Sequence, residues 1–220
     1  RVDELWLSEL FKMIKNEPTI AMVNSKVYFY YKFLRLKVRT TDTIRICDVI
    51  LINDQEYKID AKFCKNVVYQ GNELICIGNS EISIPLIHGM TNYHFVFPQI
   101  STNCENDSLY FENIDVPPSR KRNIVSFSID EKNVESCGYL LIQNAGSGIT
   151  ASFDGYDIGF GQKDCDEYNR SYEINNGCGA AIIFKKDSFL KSGEFDERFF
   201  MYYEDTDLSY RIKKYGKIMF

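Results

Sequence analysis

Histidine, tryptophan and proline are scarce in this chain: two, one and five residues among 220. His88 and His94 have no third ligand at a recognisable spacing, so they read as ordinary surface or core side chains, and no metal ligand is assigned. The seven cysteines (Cys47, Cys64, Cys76, Cys104, Cys137, Cys165 and Cys178) are odd in number, widely spaced and free of any C-x-x-C pair. This excludes a disulfide scaffold, lacks zinc spacing and suits a reducing compartment, the cytoplasm. No apolar run approaches the ~20 residues of a membrane helix, and no signal-peptide pattern is present. Positive charge is also short, with 26 Lys and Arg against 31 Asp and Glu and a net charge of −5. No general attraction to phosphate backbones follows, and no nucleic-acid partner is expected.

What is present is a foldable mixture: 45% hydrophobic residues, 26% charged, with 16 Phe and 15 Tyr, which argues against disorder. The length suits one large domain or two modest ones. Asp3 can cap a helix running through Lys15, with Leu7, Leu10, Phe11 and Ile14 as its apolar stripe, and Asn16 to Pro18 stop it. Ile20 to Val23 is a continuous apolar run, as in a strand covered on both faces in a parallel α/β sheet. After about Tyr31 the period changes to two. Leu34, Leu36 and Val38 alternate with Arg35, Lys37 and Arg39; Tyr57, Ile59 and Ala61 alternate with charged residues; Val125, Phe127 and Ile129 alternate with serines. Hairpin signals sit at Asn53–Asp54 and at Gln70–Asn72. The stretch is therefore expected to form an all-β module of sandwich type. Pro117 and Pro118, followed by Arg120, Lys121 and Arg122, mark either a solvated hairpin tip or a contact for an anionic glycan or lipid head group.

From Gly138 the character shifts again. NAGSGITASFDGYDIGFGQKDCDEYN reads as a long ordered loop, because its aromatic residues, Phe153, Tyr156, Phe160 and Tyr168, argue against disorder; it is expected to pack over the acidic cluster that follows. Five small residues, Gly177 to Ala181, lead into Ile182, Ile183 and Phe184, which permits either tight packing or close approach of a ligand. Asp187 can cap a short helix ended by Gly193, and a second helix spans Thr206 to Tyr215, with Leu208, Ile212 and Tyr215 as its stripe. Between them, Phe195 to Asp207 mixes five aromatic rings with five carboxylates, a composition suited to a pocket wall. Glu204, Asp205 and Asp207 can serve as helix caps favoured by the helix dipole. Three carboxylates within four residues also crowd like charges, which tends to raise the proton affinity of one of them, as a general base requires.

The small residues before a strand, followed by GEFDERFFMYYEDTDLSYRIKKYG, resemble the acceptor half of family 2 glycosyltransferases with the GT-A fold. In that family a G-x-F-D-E turn precedes an E-D pair opening a helix of the form D-L-x-x-R. NAGSGI and GFGQKDCDEYN resemble the preceding loop of rhamnosyltransferase-like members, and WLSELFKMIKNEPTIAMVNSKVY resembles the helix and strand that follow the family's metal-binding acidic motif. The resemblance covers about half the chain, in two pieces. It implies an inverting transfer from a nucleotide-diphosphate sugar to a hydroxyl of a glycan acceptor, in cell-surface polysaccharide synthesis at the inner face of a membrane. Asp205 matches the base position, with Glu204 beside it as an acceptor-site ligand or orienter. Asp196 and Glu197 match the turn that shapes the acceptor pocket, Gly179 the small-residue strand near it, and Arg211 a group that holds the helix. The divalent cation, Mg or Mn, would have its ligands mostly before Arg1. The chain is then expected to be a piece of a longer protein and inactive alone.

The fold expected is a GT-A-like α/β partial domain, residues 1–32 and 138–220, interrupted by a β-sandwich over 33–137. A different reading makes the β module the functional part, either binding carbohydrate through exposed rings such as Tyr93, Phe95 or Tyr110 or serving as a spacer or dimer contact.

Overall fold

The computed structural model describes residues 3–87, 90, 92–102, 107–152 and 154–220. His88, Cys104 and Phe153 lie outside them. The chain is mostly β, with 43% of residues in strands and 20% in helices. It divides into two compact units, one made of residues 1–30 with 141–220 and the other of Tyr31–Leu140.

The first unit is built on the strand Ile20–Asn24, every residue of which is buried. It pairs antiparallel with Ile182–Phe184 and parallel with Lys217–Met219. Its register shifts between Ile20 and Met22, so Ala21 and Met22 both join one hydrophobic cluster while Ile20 and Val23 join another. The helix Trp6–Asn16 packs with Ile20 and Val23 through Leu10 and Ile14. The helix Glu204–Ile212 packs with Ala21, Met22 and Ile218 through Leu208 and Ile212. A short mixed sheet thus carries a helix against each of its two apolar clusters. The far edge is extended by Tyr172 and Ile174, whose N–H groups donate to the carbonyls of Phe220 and Ile218.

Three local expectations are corrected here. Asp3 does not cap the first helix; its Oδ1 accepts the Leu5 N–H at 2.8 Å, and the helix starts at Trp6. Its buried stripe is rotated, with Trp6 and Met13 half-buried beside Leu10 and Ile14, whereas Leu7 and Phe11 are exposed. Asp187 likewise lies inside the helix Lys186–Lys191, whose N-cap is Lys185 without a side-chain bond.

The second unit consists of two antiparallel sheets. One runs Ser108–Phe111, Phe33–Cys47, Glu73–Pro85, Cys64–Gln70, with Ile100–Thr102 also on Phe33–Cys47; the other runs Ser119–Lys121, Ile124–Ile129, Tyr93–Phe97, Val49–Ile52, Gln55–Lys58. Alternation follows from one face being dry: Leu34, Leu36 and Val38 are buried, and Leu34 and Leu36 stand opposite Ile84 and Ile82. Phe111 of the first sheet meets Phe95 and Phe127 of the second at centroid distances of 5.0 Å each, so the sheets share one core. Asn53 and Asp54, at φ 48° and 64°, make the tight hairpin between Val49–Ile52 and Gln55–Lys58. The alternation expected from Tyr57 to Ala61 stops at Lys58, where Asp60 caps a 3₁₀ turn, Ala61–Phe63. A helix that the sequence did not announce, Glu131–Cys137, is capped by Asp130. Arg122, at φ 55°, lies in the tight turn joining Ser119–Lys121 to Ile124–Ile129, so the basic cluster occupies a hairpin tip.

Tyr93 and Phe95 are core residues, 2% and 0% exposed, and present no rings to a glycan. Tyr110 is half-buried, with the Arg39 guanidinium 5.2 Å from its centroid. His94 binds the Ser128 hydroxyl through Nδ1 at 3.0 Å.

Candidate functional site

In the first unit, the turn Gly177–Ala181 leads into the edge strand Ile182–Phe184, and Glu204 and Asp205 open the helix Glu204–Ile212. The Gly179 N–H donates to Asp205 Oδ2 at 2.8 Å, and the Thr206 N–H donates to Asp205 Oδ1 at 2.7 Å. A Cβ on Gly179 would lie 3.4 Å from the same Oδ2, an ordinary van der Waals contact, so the two segments touch without the position requiring glycine. One turn further on, the Gly177 N–H donates to the fully buried Ser209 hydroxyl at 3.0 Å. The small-residue turn is therefore fastened to the helix at two points.

Glu204 differs from its neighbour: its Oε2 is shut away from solvent with no hydrogen-bond partner among the described residues. A carboxylate oxygen in that state is costly unless a donor reaches it. Asp207 belongs to a separate arrangement. Its Oδ2 accepts from Arg211 Nε at 2.9 Å and Nη2 at 2.6 Å, while the same guanidinium donates to the carbonyls of Ser192 and Glu194. Arg211 thus ties the helix to the turn after Lys186–Lys191, the holding role the resemblance implied, and the crowding among the three carboxylates is relieved on one side.

Asp196 and Glu197 are not brought into this contact. Asp196 forms a two-pronged pair with Arg198 at 2.6–3.1 Å, and the Arg198 guanidinium holds its carboxyl down at about 2. Glu197 is exposed. The aromatic segment is open rather than the wall of an enclosed cavity: Phe200 is 99% exposed, Tyr202 72% and Tyr203 51%. Tyr202 and Tyr203 both have left-handed backbone, φ 68° and 66°, a strained pair of positions for bulky residues immediately before the helix.

The long loop does reach the acidic turn. Its hairpin, Ser147–Ile149 with Gly155–Asp157, lies close enough that a Cβ on Gly155 would sit 3.9 Å from the Tyr203 ring. Asp157 is a further carboxylate there, overlooked in the sequence, held by Asn144 Nδ2 at 2.7 Å and by the Ser147 hydroxyl at 2.8 Å. Burial, followed by the nearby charges of Asp157, Asp205 and Glu204, pushes the half-buried Cys178 thiol up. Lys26 fastens the same loop to the central strand's end, donating to Asp164 at 2.9 Å and to Asn169 at 2.6 Å, with Tyr28 donating to Asp164 as well.

Among the described residues no group of three or more His, Cys, Asp and Glu could hold a metal ion. The described residues do not make a seat for a divalent cation, and no chemical step below runs through one. No described helix is long and apolar enough to cross a membrane. No family model, curated protein or solved structure matches this chain.

Proposed function

We propose that this chain is the acceptor-side part of an inverting glycosyltransferase, moving a sugar from a nucleotide-diphosphate sugar to a hydroxyl of a glycan, with Asp205 as the base. One observation carries the reading: a carboxylate aimed by two backbone N–H groups stands beside a second carboxylate, Glu204, with a buried oxygen that lacks a donor. Each carboxylate oxygen has two lone-pair sites; Asp205 Oδ1 accepts both the Thr206 N–H and, at 3.4 Å, the Thr206 hydroxyl, whereas Oδ2 accepts the Gly179 N–H and can take one hydrogen bond more. The acceptor hydroxyl donates to Asp205 and loses its proton there as its oxygen attacks the anomeric carbon. The bond from that carbon to the diphosphate breaks on the opposite side, its electron pair leaving with the nucleoside diphosphate, and the configuration inverts. Glu204 stands beside Asp205 as an acceptor-site ligand through its other carboxylate oxygen or as an orienter, its Oε2 being shut away from solvent. The open rings of Phe200, Tyr202 and Tyr203 offer faces on which a sugar can stack.

On this reading the three-stranded sheet and its helices are the later part of a GT-A domain, the unit Tyr31–Leu140 is an insertion in it, and catalysis takes place in the cytoplasm. The test is sugar transfer by the intact protein. Asp205→Asn is expected to lower the rate by roughly 10²–10⁴-fold while donor binding, measured by calorimetry, is unchanged; a variant as active as the parent overturns the assignment.

A further inference from the structure

Two buried asparagines 120 positions apart in the chain, Asn24 and Asn144, 2% and 1% exposed, are joined side chain to side chain. Asn24 closes the central strand; Asn144 closes the strand Ile142–Asn144 and begins the NAGSGI segment. Asn24 Oδ1 accepts the Cys178 N–H at 2.6 Å, and its Nδ2 donates to Asn144 Oδ1 at 3.2 Å and to the Ser25 carbonyl at 2.8 Å. Asn144 Oδ1 accepts a second bond, from the Gly146 N–H at 2.8 Å, and its Nδ2 donates to Ser147 Oγ at 2.8 Å and Asp157 Oδ1 at 2.7 Å.

Every donor and acceptor site of the Asn144 amide is therefore filled. Turning it over would set NH₂ against the Gly146 N–H and oxygen against the Asp157 carboxylate, so only one orientation satisfies its neighbours. The same holds for Asn24, whose oxygen must face the Cys178 N–H. Cys178 and Gly179 are adjacent, so the amide that fixes one N–H also sets the direction of the next, the one that binds Asp205.

We propose that Asn24 and Asn144 are the positioning residues of the site: the pair locks the Cys178–Gly179 turn, and through the Gly179 N–H the aim of Asp205, while its other end holds the carboxylate of Asp157. The inference rests on Asp205 being the base. Neither asparagine touches substrate. A buried polar network of this kind rigidifies when all its members are satisfied and becomes costly when one is removed, which suits a device that sets an angle.

The test uses the intact protein and two readouts. In transfer kinetics, Asn24→Ala is expected to lower kcat about 10–100-fold with the donor KM unchanged, and to cause no further loss when added to Asp205→Asn. Losses that multiply in the double variant would mean that Asn24 does not act through Asp205, and would overturn the proposal. The second readout does not depend on activity: the Gly179 amide, followed by ¹⁵N-glycine spectra, is expected to exchange with solvent about tenfold faster in Asn24→Ala. Unchanged exchange overturns the proposal whatever the kinetics. Where Asn24→Ala fails to fold, Asn144→Ser is read in the same way at the same amide. If the parent protein transfers no sugar to any glycan acceptor, the catalytic reading of Asp205 fails, and the Gly179 amide still decides whether the asparagines govern the turn.

Discussion

The backbone N–H of Gly179 and the Oδ2 of Asp205 meet at 2.8 Å, 26 positions apart in the chain, and no side chain stands between them. A turn made of small residues is thereby set directly on the first turn of a helix, and the carboxylate's direction is fixed by backbone rather than by a mobile partner.

Substitution at this contact should be tolerated better than at another glycine of the same unit. Gly179 has no left-handed backbone, and an added Cβ meets Asp205 at ordinary contact distance, 3.4 Å, so Gly179→Ala should change stability by about 0.5 kcal/mol or less. Gly216 has φ 154°, and a Cβ there would lie 2.6 Å from the Thr19 carbonyl and 2.9 Å from the Ala21 nitrogen, both backbone. Neither atom can yield without moving the central strand, so Gly216→Ala should cost roughly 2–4 kcal/mol. Urea unfolding of both variants checks the contrast; equal midpoints would refute it.

Arg211 binds Asp207 and two carbonyls at once, an arrangement that needs a planar fork of donors. Arg211→Ala should destabilise the first unit by about 1–3 kcal/mol, since two carbonyls and a half-buried carboxylate lose their donor. Lysine restores a charge but one donor centre in place of several, so Arg211→Lys should recover less than half of that loss. Thermal melts of both variants measure it, and full rescue by lysine would show that charge alone matters.

How far this arrangement could be read beforehand depends on the kind of interaction. The dry face of Leu34, Leu36 and Val38 was legible because period-two burial is written in consecutive residues. The same signal is present in Tyr93, Phe95 and Phe97, whose i, i+2 spacing puts them on one buried face rather than on a stacking surface. The first helix was ambiguous because Trp6, Leu7, Leu10, Phe11, Met13 and Ile14 cover so wide an arc that two stripes fit. What selects Trp6 and Met13 over Leu7 and Phe11 is the strand beneath, Ile20 and Val23. Asp205 and Glu204 were found through their order in a motif, whereas Asn24 and Asp157 were not found, since a lone asparagine or aspartate carries no periodic or local pattern. Asn24 gains its significance only when residues more than a hundred positions apart meet, and Asp157 through its bonds to Asn144 and Ser147.

The Asp196–Arg198 pair gives a pH dependence whose sign is fixed. The hydrogen bonds from Arg198 lower the Asp196 carboxyl from its ordinary 3.8 to about 2. A carboxyl lowered on folding contributes stability above its unfolded value and loses it as pH falls through the folded one, so the contribution should disappear between about pH 4 and pH 2. Carbon-13 titration of the Asp196 carboxyl should give a midpoint near 2, and Arg198→Ala should return it toward 3.8. A midpoint near 3.8 in the parent protein would show that the pair does not persist in solution.

The cysteines offer a test of the acidic site from within. Burial pushes both Cys64 and Cys76 up to about 12, whereas Cys165 is exposed. At pH 8 a thiol of that kind is about one part in ten thousand thiolate, so neither should alkylate while the fold holds. Cys178 is intermediate, half-buried and raised by burial first and then by Asp157, Asp205 and Glu204. Removing one of those charges without altering shape, as in Asp157→Asn, should lower the thiol and speed its reaction with iodoacetamide several-fold, while Cys165 reacts at its former rate. The asparagine side chain keeps an oxygen for the Asn144 Nδ2 donor, so the hairpin should stay in place. Peptide mapping by mass spectrometry separates the cysteines. An unchanged Cys178 rate would mean that Asp157 lies electrostatically apart from the turn that carries Gly179, and that the buried asparagines hold two unrelated groups rather than two parts of one site.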